Sequence, residues 1–213
     1  MLATRSIELL GRRVILRPLV AHDFERWREV RRRCQGWLEP WEPTPPPGSG
    51  DVVEDRRAFI ARCGVRERER QLGTGYGFGI FIGSSTREPL RLIGEINLSS
   101  VQRGPFQNAY AGYWMDQALA GQEYAPEAVV VVLRFAFQML ELHRVQVSII
   151  PRNASSRRVV EKLGLREEGL ALRYLQIAGV WEDHLRYAIT SEEWEERAPS
   201  YLHRWLLPEP ASR

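Results

Sequence analysis

The stretch AYAGYWMDQALAGQEYAPEAVVVVL, residues 109–133, opens the segment that decides the fold, and that segment continues to Gly169. Its first seven residues predict a β-strand, Ala109–Met115. The apolar run from Glu127 to Leu142 predicts a helix that begins at Pro126. A loop of small and polar residues joins the two. Backbone N–H groups at such a helix start lie at the positive end of the helix dipole, so this turn predicts a binding site for a pyrophosphate.

The second half of the segment repeats the strand-to-helix order. The run 145–150 predicts a buried strand, and the run 155–163 predicts a short helix. Gly164 stands where a left-handed residue would end that helix. Asn153 and Ser156 are polar residues at the junction, close to the predicted pyrophosphate turn if the two strands are neighbours.

Outside this segment the chain predicts strands on both sides and helices between them. The further strands are predicted at 14–19, 76–82, 92–98, 172–177 and 181–189. Helices are predicted after Asp23, from Asp51 to about Arg70, and from a capping box that starts at Thr190. The proline-rich segment 37–50 predicts a loop. The order predicts one mixed α/β domain over residues 1–213, with a frayed tail at 208–213.

Composition excludes several classes of protein. The net charge is +3 over 213 residues, too small to indicate a nucleic-acid-binding protein on charge alone. Lys162 is the only lysine; the arginines suit contacts to phosphate or carboxylate, or they reflect codon bias. Neither Cys34 and Cys63 nor the four histidines have the spacing of metal ligands, so no metal is predicted. No apolar run is long enough to span a bilayer, and we expect a cytoplasmic protein.

Several strings of residues, taken together, resemble the GNAT superfamily of acetyltransferases. They are Gly112-Tyr-Trp, the loop 120–127, Leu142-His-Arg144, Asn153-x-x-Ser156 and Glu161-Lys-Leu-Gly164. Leu38–Pro43, Val101-x-Arg-Gly104 and Ile177–His184 resemble one branch of it, the RimJ-type ribosomal-protein-alanine N-acetyltransferases. The resemblance covers about residues 10–195. It implies the GNAT fold, an α/β fold whose mixed central sheet of six to seven strands is flanked by helices and splayed at the acetyl-CoA site.

The resemblance also implies how the cosubstrate acetyl-CoA would be held, without a metal. The edge of the strand at Trp114, Met115 and Asp116 would pair with the pantetheine arm. Asn153 would hydrogen-bond the pantetheine or the thioester region. Backbone donors of the helix-start loop would hold the pyrophosphate: Gly121, Gln122, Glu123, Tyr124 and Ala125.

The pyrophosphate loop departs from the family pattern at two positions. The family has Gln or Arg where this chain has Ala120, and Gly where it has Glu123; Ala125 fits. A carboxylate beside a pyrophosphate repels it unless the side chain turns outward. We expect the Glu123 N–H to be available only if its φ is negative. Acetyl-CoA binding is therefore expected to be weaker than usual in the family.

The catalytic residues implied by the resemblance are few. Ser156 would donate a proton to the departing thiolate, because Val160 stands where the superfamily often has a tyrosine. A related branch has a glutamate base where this chain has Leu175. Glu42 is our first candidate for the base, against the interpretation that it is an ordinary solvated loop acid, as most charged residues are. Glu39, Glu95 or a water are alternatives.

The lack of an obvious base favours an α-amine as acceptor. An α-amine with a pKa near 7.7–8.0 is roughly 10–20% neutral near pH 7.2, whereas a lysine ε-amine is neutral in well under about 0.1% of molecules. The resulting prediction is acetyl transfer to the N-terminal α-amine of a protein, an N-terminal alanine of a ribosomal protein. Trp37 and Trp41 could shape the peptide groove or simply anchor their loop.

Two other functions remain open from the sequence. A closed acidic pocket would favour acetylation of a small amine, such as an antibiotic or a polyamine. The altered loop at Ala120 and Glu123 leaves room for a non-catalytic module that binds acetyl-CoA in ribosome assembly or regulation. Neither nucleic-acid specificity nor a membrane partner is expected.

Overall fold

Eight strands form one mixed sheet in the order β1-β2-β3-β4-β5-β6-β8-β7. The computed structural model describes residues 7–206 except 46, 47, 49 and 84–89. Every neighbouring pair is antiparallel except β5 and β6, which are parallel and joined through a helix. The strands are β1 Leu9–Leu10, β2 Val14–Arg17, β3 Tyr76–Ile82, β4 Arg91–Gln102, β5 Asn108–Met115, β6 Arg144–Ile149, β7 Arg166–Ile177 and β8 Val180–Thr190.

The fold class is the predicted one, but the sheet has eight strands instead of six to seven. The additional strand, β1, contributes only two residues, which pair with Leu16 and Ile15. So short a strand has no alternation for a sequence pattern to reveal. β7 also begins six residues earlier than predicted, because its N-terminal half is exposed on both faces and carries mostly charged and small residues.

The described residues contain six α-helices: α1 Phe24–Arg33, α2 Gln35–Leu38, α3 Arg56–Leu72, α4 Tyr124–Arg134, α5 Ala154–Lys162 and α6 Ser191–Trp205. A π-helix, Phe135–Met139, continues α4. The predicted loop 37–50 is wrong at its start, since α2 and a 3₁₀ turn, Glu39–Trp41, lie there. Pro40 fits that turn because the first helical residues need no N–H partner. Asp55, not Asp51, caps α3 by accepting bonds from two backbone N–H groups. Thr190 forms the predicted capping box with Glu193.

The helices cover the two faces of the sheet in separate groups. α4 lies on one face, where all residues from Ala128 to Leu133 are buried and pack with residues of α5 and α6. On the other face, Phe24 and Trp27 of α1 pack against Phe59 of α3. Gly79 allows that layer to approach β3, because a Cβ atom there would lie 2.5 Å from the Leu19 side chain. Among the described residues no helix is both long and apolar enough to cross a membrane.

A buried carboxylate ties the first two strands to α4. Glu127, in the first turn of α4, is 1% exposed and accepts a hydrogen bond of 2.9 Å from the Val14 N–H. It also accepts bonds from the backbone N–H and the guanidinium of Arg13. Two backbone donors at the junction of the β1–β2 turn and β2, those of Arg13 and Val14, are thus satisfied by a side chain more than 100 residues away.

The sheet splays between β5 and β6. The two strands pair at the register Asn108–Tyr110 with Arg144–Gln146, and beyond it β5 runs on to Met115 without pairing to β6. The closed end of the splay holds a buried polar pair, Gln146 Nε2 donating to Asn108 Oδ1 at 2.8 Å. The splay that the family resemblance implies is confirmed.

Some predictions fall on residues outside the described structure. These are the frayed tail at 208–213 and residues 46, 47 and 49 of the loop predicted at 37–50. That residues 1–213 form one domain also remains a prediction.

Candidate active site

A cavity of about 1510 Å³ extends along the splay. It is lined by β4, β5, β6 and β8, by the starts of α4 and α5, and by α1 to α3 on the other face of the sheet. All predicted site residues except Gln122 line it. The strands and helix starts that the sequence motifs occupy are therefore brought together around one space.

The edge of β5 that faces the splay is free to accept an added strand. Asp116 N–H donates to Ile93 O of β4 at 2.7 Å, and Trp114 pairs with Glu95 of the same strand. Because backbone groups of consecutive strand residues point to alternate edges, Met115 directs its N–H and C=O to the splay. Of the three residues predicted to pair with pantetheine, only Met115 directs its backbone groups to the splay. Tyr113, which was not among the three, directs its backbone groups to the same side.

The Asp116 side chain links the end of β5 to α1 and β4 through ion pairs. Its side chain is 1% exposed and bound by Arg33 at 2.6 Å and Arg91 at 3.1 Å. Burial alone would raise the pKa of Asp116, but hydrogen bonds from Arg33 and from the Ala118 N–H outweigh it and lower the pKa to about 2. The carboxylate is thus held ionised between α1, β4 and the pyrophosphate loop.

This geometry predicts a pH-dependent contribution of Asp116 to stability. Since the pKa in the folded protein lies below the usual value near 3.9, the contribution is present above about pH 4 and is lost as the pH falls towards 2. We expect Asp116→Asn to lower the free energy of unfolding by about 2 kcal/mol at pH 7. Urea unfolding of both proteins from pH 7 to 3 measures the gap, with Asp51→Asn as the exposed control. A gap that stays constant down to pH 3 would contradict the prediction.

The pyrophosphate loop presents backbone donors without protein partners. Among the described residues, no backbone acceptor takes the N–H groups of Gly121, Glu123, Tyr124 or Ala125. The Gln122 N–H instead donates to Leu119 O at 3.3 Å. Four of the five predicted donors are therefore free to bind an anion at the start of α4, as its dipole favours.

Glu123 adopts a conformation that the sequence argument did not anticipate. Its φ is +66°, in the left-handed region, so the condition of a negative φ is not met. The Glu123 N–H nevertheless has no backbone acceptor. Glu123 stands where the family has glycine, and it adopts the left-handed conformation that glycine favours. Its carboxylate binds Lys162 Nζ at 2.5 Å and Arg204 at 3.0 Å, and the hydrogen bond from Lys162 lowers its pKa.

We expect removal of the Glu123 carboxylate to tighten acetyl-CoA binding. Glu123→Ala removes a negative charge beside the predicted pyrophosphate and frees two cations, which should lower the Kd by about tenfold, most strongly at low salt. Glu123→Gly should also relieve the left-handed strain, adding about 1 kcal/mol to the free energy of unfolding relative to the alanine variant. Calorimetry and thermal unfolding check the two effects. Weaker binding by Glu123→Ala would mean that the ion pairs order the loop for the ligand.

Ser156 and Tyr113 meet across the splay. Ser156, in the first turn of α5, donates from Oγ to the Tyr113 hydroxyl at 3.2 Å, and that hydroxyl donates to the Ser156 backbone carbonyl at 3.1 Å. Burial raises the pKa of Tyr113. Asn153 caps α5 through Oδ1, which accepts from the Ser156 N–H at 3.1 Å. Asn153 thereby fixes the position of the serine, and its Nδ2 remains the atom with which it could bind pantetheine.

The predicted base candidates are bound to arginines or lie elsewhere. Both oxygens of Glu42 accept from Arg31 at 2.5 Å. Glu95 accepts from Arg62 at 3.0 Å and from the Trp27 indole at 2.6 Å. Glu39 does not line the cavity. A carboxylate whose lone pairs are taken by a guanidinium is a weak proton acceptor, so this geometry weighs against Glu42 as the base, which stays a prediction.

The loop of Glu42 contacts the β7–β8 hairpin beside the cavity. Glu42 O accepts from the Ala178 N–H at the tip of the β7–β8 hairpin at 2.9 Å. Arg152 lies over the Trp41 ring at 5.1 Å and pairs with Glu182 of β8. Trp37 packs against the buried side chains of Val30, Cys34 and Leu38, where α1 meets α2. Both tryptophans also line the cavity, so they anchor the loop and form its wall at once.

Sequence reasoning missed two residues of the site. Tyr113 lies within a quoted motif, and the alternation of β5 would place it on the same side as Met115, but no role was assigned to it. His184 ends another quoted string and lines the cavity while 3% exposed. Among the described residues no three His, Cys, Asp or Glu side chains come together as a metal site would need.

Comparisons with known proteins identify the family of this chain. The family described as acetyltransferase (GNAT) domain matches residues 13–166. The chain is 34% identical over 188 residues to the probable N-acetyltransferase YjcK of Bacillus subtilis (strain 168), covering 88% of this chain and 99% of that protein. It is 29% identical over 195 residues to the [ribosomal protein uS5]-alanine N-acetyltransferase of Escherichia coli (strain K12), covering 89% and 93%.

The fold is also similar to a solved structure with a bound ligand. Mycobacterium smegmatis RimJ, in complex with CoA-disulfide, superposes with a TM-score of 0.82 and 31% identity over 95% of this chain and 96% of that one. The predicted family resemblance is thereby confirmed. A splayed sheet, free N–H groups at the start of α4 and the matched family together show that this chain belongs to the GNAT acetyltransferases, as an acetyl-CoA-dependent acyltransferase of the RimJ-like type.

Proposed function

We propose that this chain transfers the acetyl group of acetyl-CoA to the N-terminal α-amine of a protein, an N-terminal alanine of a ribosomal protein. The relative from Escherichia coli is named for that reaction on uS5. The proposal rests on the ion pairing of the carboxylates in the cavity. Among the described residues that line it, every carboxylate is bound to an arginine or a lysine.

The charge of the lining favours an α-amine over a polyamine or a lysine side chain. Six basic and five acidic side chains are among the lining residues: Arg31, Arg62, Arg66, Arg70, Arg158 and Lys162 against Glu42, Glu67, Glu95, Asp116 and Glu123. A polycation would be attracted by an acidic excess, which this lining lacks. A lysine ε-amine would require a strong base, whereas an α-amine is already partly neutral near pH 7.

The geometry supports a direct transfer. The free edge at Met115 and the donors of Gly121 and Glu123 to Ala125 would align the cosubstrate, so that the amine attacks the thioester carbon at close range. Ser156 would donate its hydroxyl proton to the departing thiolate. The contact between the Trp41–Glu42 loop and the β7–β8 hairpin favours a chain end entering the cavity over a chain crossing it. A ribosomal substrate would place the reaction in the cytoplasm.

A panel of acceptors tests the proposal. We compare peptides with N-terminal Ala, Ser or Met, a peptide with a blocked N-terminus and one internal lysine, and spermidine, each with acetyl-CoA. The free N-terminal Ala peptide should exceed the blocked lysine peptide by about 10²-fold in kcat/KM, in line with their neutral amine fractions. Preference for spermidine would indicate a small-amine enzyme. Acetyl-CoA binding in calorimetry without turnover of any acceptor would indicate the non-catalytic module.

A further inference from the structure

We infer that His184 is the general base of the reaction and accepts the proton from the attacking amine at Nε2. The inference rests on the proposed function, since it concerns the same site and an amine acceptor. His184 is a buried side chain that takes part in none of the site contacts described above.

The position of His184 places it at the reacting end of the cavity. It lies on β8, one residue before Leu185, which pairs with Ile149 at the end of β6. The chain that leaves β6 there carries Asn153 and Ser156 into α5 within a few residues. His184 is 3% exposed and lines the same cavity as both of those residues.

The hydrogen bonds of the ring fix which nitrogen can act as a base. Nδ1 lies 2.9 Å from the backbone oxygen of Glu182. A carbonyl oxygen can only accept, so Nδ1 carries the hydrogen and Nε2 of the neutral ring carries the lone pair. Among the described residues Nε2 makes no hydrogen bond. The Tyr174 ring packs edge-on against the imidazole at 5.7 Å and restricts its rotation.

Elimination of the other candidates gives His184 its role. The cavity carboxylates are all in ion pairs, as shown above. The Tyr113 hydroxyl and the Cys63 thiol also line the cavity, but burial raises both of their pKa values, so neither supplies an anion near neutral pH. Of the carboxylates and the imidazole in the described lining, only the imidazole is free of an ion pair.

The transfer balances with His184 and Ser156 as the proton carriers. As the neutral amine forms its bond to the thioester carbon, its nitrogen gives one proton to His184 Nε2. The C–S bond then breaks, sulfur leaves with the electron pair, and the Ser156 hydroxyl protonates it. The proton on Nε2 replaces, through water, the one that Ser156 lost, and both residues return to their starting state.

The groups around the imidazole determine how it responds to pH. On β8 its neighbours on the same face are Glu182 and Arg186, and Glu182 is paired with Arg152 from the end of β6. Tyr174 faces it from β7. The charged groups near the imidazole are therefore Arg152, Arg186 and the paired carboxylate of Glu182.

The test compares His184→Gln with two matched variants. We expect His184→Gln to lower kcat by about 10²-fold or more and to abolish the acid limb of the kcat–pH profile, with acetyl-CoA binding retained in calorimetry. Glu42→Gln should retain the acid limb. His203→Gln, an exposed histidine on α6, should behave as the unmodified enzyme.

Each result of this comparison either supports or overturns the role of His184 as the base. If His184→Gln keeps both its rate and its acid limb while Glu42→Gln loses them, the base is Glu42 and the inference fails. If His184→Gln fails to bind acetyl-CoA, the temperature dependence of the acid-limb pKa of the unmodified enzyme decides instead. An imidazole pKa falls on heating, whereas a carboxylate pKa hardly changes, and the latter result overturns the inference. An unmodified enzyme that acetylates no peptide would refute the proposed function itself.

Discussion

Replacing Ser156 with alanine is expected to lower kcat by about 10²-fold while leaving the Kd of acetyl-CoA within about twofold. A positioned proton donor typically contributes 10²–10⁴-fold to a rate, and the expected loss is at the lower end because water can protonate a thiolate. The Ser156 hydroxyl makes its hydrogen bond to Tyr113, not to the backbone of the helix, so its removal leaves α5 and its Asn153 cap intact. Steady-state kinetics on the Ala peptide and calorimetry separate the two quantities.

Tyr113→Phe is the matched control for this prediction. It removes the acceptor of the serine hydroxyl but retains the ring in β5, and we expect a loss of about tenfold or less. If the pair acts as one unit, the double variant is no slower than Ser156→Ala alone. A Ser156→Ala enzyme with an unchanged kcat would show that another group protonates the thiolate.

Replacing Glu127 with alanine is expected to lower the free energy of unfolding by about 3 kcal/mol. The carboxylate is 1% exposed, and its removal leaves the backbone N–H groups of Arg13 and Val14 without their acceptor. Glu127→Gln retains one acceptor oxygen and should cost about half as much. Urea unfolding followed by circular dichroism measures both.

An exposed ion pair provides the comparison. Glu25, 67% exposed, contacts Arg28 one turn along α1 at 2.6 Å. Glu25→Ala should cost less than about 1 kcal/mol, because exposed pairs are worth little in water. Equal losses for the two alanine variants would mean that the Glu127 contacts contribute no more than a surface pair.

The sequence predicted most of the fold because the central strands and α4 have strong patterns. Tyr76–Ile82 is buried at five of its seven positions and the run from Ala128 to Leu133 at all six, so hydrophobicity alone locates them. The features that the sequence did not predict depend on contacts between residues that lie apart in the chain. β1 exists because its two residues pair with β2, and the start of α3 depends on which of two aspartates, Asp51 or Asp55, caps it.

The site was predicted less completely for a physical reason. Motifs identify which residues surround the cosubstrate, but the edge to which a backbone N–H points depends on strand register. Ion pairing is likewise invisible in one sequence: Glu42 and Arg31 are eleven residues apart, and Glu123 meets Arg204 from the far end of the chain. The same lack of partner information kept His184 and Tyr113 from being assigned roles.

The ion pair of Lys162 has a practical consequence for following ligand binding. Because the chain has no other lysine, an amine-reactive label such as acetic anhydride can modify only one side-chain amine. That amine lies in the cavity lining, bound to Glu123 beside the four free N–H groups of the loop. Mass spectrometry of a single modified peptide, with and without coenzyme A, would therefore report the occupancy of the site directly, with no spectroscopic probe added to the protein.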